Sequence, residues 1–174
     1  MTGHAIAVRG QVETIDIFPT LIGLTRLPPL PKCAGIDQPP TILCLQGESY
    51  ASEFLLAGLE AGEENNGVST VQLAKQFAFS QWPFTNLPGV FPKNLTGLRQ
   101  GYTVRSATGY RYTTYVPYST TTFVGNWTAA LGDEELYDYN RDKWETTSFA
   151  AVANYSKIKA ELRAVLLRQY TGGM

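Results

Sequence analysis

The chain has few of the residues that carry most metal and nucleophile chemistry: one histidine, His4, and two cysteines, Cys33 and Cys44, in 174 residues. No C-x-x-C pair occurs, which excludes zinc and dithiol redox sites of the usual spacing. His4 lies in an unpatterned N-terminus and reads as a surface imidazole rather than a catalytic base. An excess of charge of either sign is also lacking. Fourteen Lys and Arg against fifteen Asp and Glu give a net charge of −1, so no basic field is available to hold a nucleic-acid backbone or an anionic membrane. No apolar run approaches the roughly 20 residues of a spanning helix. The opening MTGHAIAVRGQ lacks the basic region and apolar stretch of a signal peptide.

What is present describes a globular chain. A hydrophobic content of 44% with 17% charged residues is enough to build a core in a chain of this length. The clearest local pattern is GYTVRSATGYRYTTYVPY, Gly101 to Tyr118. Tyr102, Val104 and Ser106 alternate with Thr103 and Arg105, and the run from Tyr110 to Val116 is almost all Tyr, Thr and Val. β-branched and aromatic residues suit a pleated, half-buried surface, and the short Gly-containing connection makes the two runs a hairpin. A lone hairpin is marginal, so other elements must cover one face.

Glu13 to Thr25 predicts a helix entered through Asp16 as N-cap, with Pro19 in the first turn. Ile17, Leu21 and Leu24 share one face of it, with Phe18 and Ile22 beside them, a face suited to packing on something large. Ala5 to Val8 reads as a short strand, Glu48 to Leu59 as a helix and Glu60 to Gly67 as a polar loop. Gln76 to Trp82 reads as a strand closed by Pro83, followed by a long loop to Arg99. Glu135 to Tyr139 is a further strand. Ser156 to Tyr170 is the best helix, with Ile158, Leu162, Val165 and Leu166 in one stripe and Asn154 or Ser156 as cap. The sum is an α+β arrangement: an antiparallel sheet of about four strands with a covering C-terminal helix.

Cys33 and Cys44 bracket the Pro-rich loop CAGIDQPPTILC. They are either two buried thiols or a disulfide, which would remove on the order of 3 kcal/mol of unfolded-state entropy. Three N-glycosylation sequons occur, at Asn94, Asn126 and Asn154. Sequons and a loop disulfide favour a secretory or lysosomal setting over the cytoplasmic one implied by the opening residues, and so a segment preceding Met1.

IDIFPTLIGLTRLPP resembles the D-I-x-P-T-L-x-x-L-x-G-L segment that alkaline-phosphatase-like sulfatases place before their small C-terminal subdomain. AFSQWP, GYTVRSATGYRYTTY and ELYDYNRD are similar, in order, to that subdomain's A-F-S-Q-[YW]-P strand, G-Y-[ST]-[IVM]-R-T and Y-R-Y-T strands and E-L-Y-D turn. The likeness is greatest to the iduronate-2-sulfatase-like members and runs from about Glu13 to Tyr170; their paired cysteines correspond to Cys33 and Cys44. Two departures stand out. Asp142-Lys143-Trp144-Glu145 replaces the D-P-x-E pattern, and Thr25 and Arg26 stand where Ala and Gly are usual.

The resemblance implies a single C-terminal sulfatase-like region over 1–174. Residues 1–62 would belong to or dock on the catalytic domain, and 63–174 would form the sheet-plus-helix subdomain. It implies sulfate-ester hydrolysis in glycosaminoglycan degradation, a lysosomal or secreted location and a family calcium ion. Neither cysteine sits in the family's [CS]-x-P-x-R motif, however, and Asp133-Glu134-Glu135 reads as a solvated charge run. The expectation is therefore that this chain alone is inactive, with no catalytic residue, metal ligand or cofactor of its own. Its partners would be the catalytic domain and, through it, sulfated glycosaminoglycan, but no nucleic acid or membrane. Gln81, Tyr102 and Arg105 are the polar residues of the matching strands and are candidates for the substrate cleft or the interface, with bracing the simpler role. Trp82, Trp127 and Trp144 either stack on sugars or pack. The competing reading is a non-catalytic carbohydrate- or protein-binding module built on the Tyr-rich hairpin.

Overall fold

The computed structural model describes residues 6–33, 43–60, 69–84, 99–119, 121–129 and 133–172. His4, the sequon at Asn94 and most of the polar loop 60–67 lie outside the described residues. The chain divides into two units, Met1–Gln76 and Phe77–Met174.

In the first unit, strand β1 (Ile6–Arg9) leads through a 3-10 turn, Thr14–Asp16, into helix α1 (Ile17–Leu24). After the cysteine loop come helix α2 (Ala51–Glu60) and strand β2 (Ser69–Gln72), which pairs parallel with β1. That pairing, which the sequence pattern did not reveal, ties Ser69–Gln72 to the first unit. The Cys33–Cys44 disulfide is formed. Its base is closed by the Cys33 N–H donating to Leu45 O and the Leu45 N–H donating to Pro31 O, at 3.0 and 2.8 Å. Asp16 does sit at the N-cap of α1, but its side chain makes no cap hydrogen bond there.

The end of α1 accounts for one departure from the family pattern. Leu27 N–H reaches back to Ile22 O and Arg26 N–H to Gly23 O, both at 3.2 Å, and Arg26 has φ 56°. This is the left-handed closing position at which glycine has no steric cost. Arg26 occupies it under strain.

The second unit is built on strands β3 (Phe77–Phe84), β4 (Arg99–Ser106) and β5 (Tyr110–Ser119), antiparallel in that order. Short β6 (Val124–Gly125) pairs with the end of β5, and β7 (Glu134–Asp138) with its beginning. Pro83 does not close β3: it stays in the ladder opposite Gln100, which an edge strand permits because a missing N–H there breaks no second ladder. Cross-strand register puts Phe79, Val104, Tyr112 and Leu136 in one row. Helix α3 (Ser156–Thr171) covers that face, and Leu162 and Leu166 join Tyr102, Val104, Tyr112, Val116 and Leu136 in the core. The α+β sheet-plus-helix architecture is thus as the periodicity indicated, with five strands in this sheet. Neither Asn154 nor Ser156 caps α3 with its side chain; a 3-10 turn, Ala153–Tyr155, feeds directly into the helix.

Candidate functional site

Because side chains alternate along a strand, the residues between the core positions line the opposite face of the sheet. Arg105, Arg111, Tyr115, Glu135, Tyr137 and, just beyond β7, Tyr139 build a polar aromatic surface there. The Arg105 guanidinium lies 4.2 Å over the Tyr139 ring and that of Arg111 4.8 Å over Tyr137. Arg111 grips Glu145 through two donors, Nε at 2.6 Å from Oε1 and Nη2 on Oε2, and the Tyr139 hydroxyl donates to the same carboxylate. Burial would raise the Glu145 pKa, but these donors hold it below the ordinary carboxylate value. Glu135 accepts from the Tyr115 and Tyr137 hydroxyls.

Glu145 has φ 56°, and the segment before it is folded around Asp142. The Asp142 carboxylate accepts from the Trp144, Thr146 and Thr147 N–H groups and from the Thr146 hydroxyl. Without the family's proline, the turn is set by this one side chain and by Arg111. It presents Trp144, 77% exposed, with Lys143 Nζ 5.0 Å over its ring.

The candidates Gln81, Tyr102 and Arg105 are not brought together. Gln81 and Tyr102 are direct cross-strand partners on the core side, and Arg105 is on the other face. Tyr102 is buried, its ring 4.7 Å from Trp127 and 4.6 Å from Tyr170. Gln81 is exposed on the edge strand. Trp127 packs as well, whereas Trp82 and Trp144 are exposed. Glu134 and Glu135 face opposite sides of β7. Glu134 accepts from Lys159 at 3.0 Å and from the Tyr112 hydroxyl, and the pair does not converge on a metal. Among the described residues no group of three or more His, Cys, Asp or Glu could hold a metal ion.

Pattern reading missed the polar centre of the first unit. Asp16 is buried, and its carboxylate accepts from Lys75 Nζ, Glu48 N–H and Glu13 N–H, each at 2.8 Å. Burial opposes ionisation, yet these donors hold its pKa below the ordinary value. Burial also pushes the Tyr50 hydroxyl up to about 12, with the Asp16 charge adding to the effect. The only sequence signal for this centre was an Asp at a helix start. Around it, α1 turns Pro19 and Thr20 inward and leaves Ile17, Phe18 and Leu21 58%, 55% and 54% exposed.

No family model matches the chain. It is 31% identical over 138 residues to iduronate 2-sulfatase of Mus musculus, a match covering 75% of this chain and 23% of that protein. The chain therefore spans under a quarter of the length of the curated relative it matches. Among solved structures, BT4656 in complex with its substrate D-glucosamine-2-N,6-O-disulfate is similar with TM-score 0.45 and 17% identity, over 90% of this chain and 24% of that one. The phosphonate monoester hydrolase of Agrobacterium radiobacter is similar with TM-score 0.47 and 22% identity, over 91% of this chain and 25% of that one.

Proposed function

We propose, with homology to iduronate 2-sulfatase as the premise, that this chain is the C-terminal portion of a lysosomal or secreted sulfatase acting on sulfate esters in glycosaminoglycan breakdown. In this reading the nucleophile, the general acid and the calcium ligands lie outside the chain. Among the described residues Glu13 and Asp16 meet on Lys75 rather than on an open site, and Glu134 and Glu135 face opposite sides of β7. The chain's own part is structural: α1 and the disulfide loop dock on the catalytic domain, and the sheet with α3 forms the subdomain beside it.

The observation that carries this reading is the apolar stripe Ile17, Phe18, Leu21 and Leu24, exposed on a helix within the segment that resembles the sulfatases. Contiguous exposed apolar surface marks an interaction site. A non-catalytic carbohydrate- or protein-binding module is the second reading, favoured by the Arg and Tyr surface opposite α3.

The deciding experiment probes extracts of the source organism with an antibody to α3 and assays the purified chain on a fluorogenic iduronate 2-sulfate ester. A species far larger than 174 residues, and no hydrolysis by the chain alone, are expected. A lone species of the chain's own size would overturn the portion reading in favour of the module. Hydrolysis by the purified chain would overturn the assignment of the catalytic residues elsewhere.

A further inference from the structure

The two sides of the five-stranded sheet end differently. Beyond β5 the outer strands are blunted: β6 is two residues long, and β7, EELYD, carries three carboxylates among its five residues. Short or charged outer strands resist pairing with another chain. The opposite side ends in β3, FAFSQWPF, eight residues long and without a charge. Its first six residues combine aromatic side chains with no Pro and no Gly, a composition that pairs readily with a further strand when an edge is open. β4 holds one edge of β3, and among the described residues no strand holds the other. Ser80, Gln81 and Trp82 are exposed along it, Trp82 by 72%.

β3 is complementary to itself. Directly opposed residues of an antiparallel pair point to the same face, so a strand that pairs with its own copy does so about a two-fold axis through one residue. Ala78, Ser80 and Trp82 lie on the face opposite α3. An axis at Ser80 sets Ala78 of each copy against Trp82 of the other, and Phe79 against Gln81. The small Ala78 side chain leaves the space that an indole needs. Arg105, exposed and opposed to Ala78 on β4, flanks that space with a cation suited to the ring. Pro83, which has no N–H to give, falls at the end of the ladder opposite Phe77. An axis at Phe79 would instead set Trp82 against Gln76, outside the strand. With no charge in β3, no like-charge repulsion opposes the pairing.

We propose that the open edge of β3 is an interface with a second copy of this chain, paired antiparallel about a two-fold axis at Ser80. The interface is isologous, the same patch serving on both copies, and it covers both Trp82 rings. It concerns one edge of the second unit and needs neither the sulfatase reading nor the module reading, so it stands or falls separately from the function proposed above.

Sedimentation equilibrium on the full 174-residue chain tests it, together with Ser80→Lys, Ser80→Glu and their equimolar mixture. Like charges meeting at the axis oppose pairing and unlike charges favour it. The wild type is expected to dimerise, each variant to be monomeric at concentrations where the wild type is dimeric, and the mixture to dimerise again. Amide exchange at Phe79 and Gln81 is expected to slow with wild-type concentration, while exchange at Val104 and Tyr112 stays the same in all samples and reports an intact fold. A wild type that is monomeric at every concentration overturns the proposal. So does a dimer that both variants retain, which would place the association elsewhere, or a mixture that stays monomeric, which would refute the axis at Ser80.

Discussion

The Lys75 ammonium lies 2.8 Å from the Asp16 carboxylate, joining the residues beyond β2 to the entry of α1 across 59 positions of sequence. Lys75 also pairs with Glu13 at 2.5 Å. The two partners of the first pair are both well shielded, with side chains 13% and 3% exposed. Removing Asp16 leaves Lys75 paired with Glu13 alone and takes a charged acceptor from a shielded site, a loss of about 1–3 kcal/mol. Asp16→Ala should therefore destabilise the first unit by an amount of that order, since the Glu48 and Glu13 N–H groups are orphaned too. Chemical denaturation followed by hydrogen exchange in 13–75 would measure it. A loss below about 0.5 kcal/mol, the size of an ordinary surface change, would show that the pair does not hold the unit together.

Acid should act late. Asp16, Glu134 and Glu145 all have pKa values lowered below their ordinary ones, by donors that outweigh the effect of burial. A carboxylate with a depressed folded pKa contributes stability that is fully present above its unfolded value and is lost as pH falls through the folded one. Unfolding free energy should stay flat from neutral pH down to about 5, then fall below about 4, where unfolded carboxylates titrate. Loss beginning near pH 6 would mean that another group dominates.

Arg26→Gly is expected to stabilise the chain. A non-glycine residue in the left-handed region costs about 1–2 kcal/mol, partly offset by the extra unfolded-state freedom of glycine. A net gain of about 0.5–1 kcal/mol should appear as a raised denaturation midpoint with an unchanged slope. Arg26→Ala, which keeps the strain, should not show it, and equal gains in the two variants would refute this account of the position.

Glu145→Gln should loosen the Trp144 turn without unfolding the sheet. The Arg111 pair is bidentate, with both side chains 26% exposed, so its loss is screened and a global cost of about 1 kcal/mol is expected. Amide exchange over 142–147 should accelerate, while that of Val104 and Tyr112 should not. Uniform acceleration would show that the turn and the core open together.

Much of this architecture was legible because it is local. The β4–β5 hairpin follows from alternation and a Gly turn, and α3 from its stripe Ile158, Leu162, Val165 and Leu166, of which Leu162 and Leu166 are buried. The disulfide was one of two readings that spacing allowed, and it is formed. The parallel β1–β2 pair escaped because Ser69–Gln72 is four residues long and finds its partner some sixty positions away. The candidate polar residues were chosen for sharing the matching strands, which does not fix the face each one takes. Tyr102 and Arg105 lie in one strand but face opposite ways, and the first packs under α3 while the second stacks on Tyr139.

Periodicity and turn chemistry act over a few residues, and they settled the four longer strands of the sheet, the C-terminal helix and the apolar stripe of α1, but not the two-residue strand β6. Ion pairs and burial act between residues distant in sequence. Only the tertiary structure could decide that Asp16 serves Lys75 and Glu48 rather than its own helix, or that Arg111 and Tyr139 meet at Glu145. It alone could show that Trp127 turns inward and leaves Asn126 exposed. A carboxylate's best donors and a ring's best neighbours are chosen by proximity in the folded chain, and local pattern carries no record of that choice.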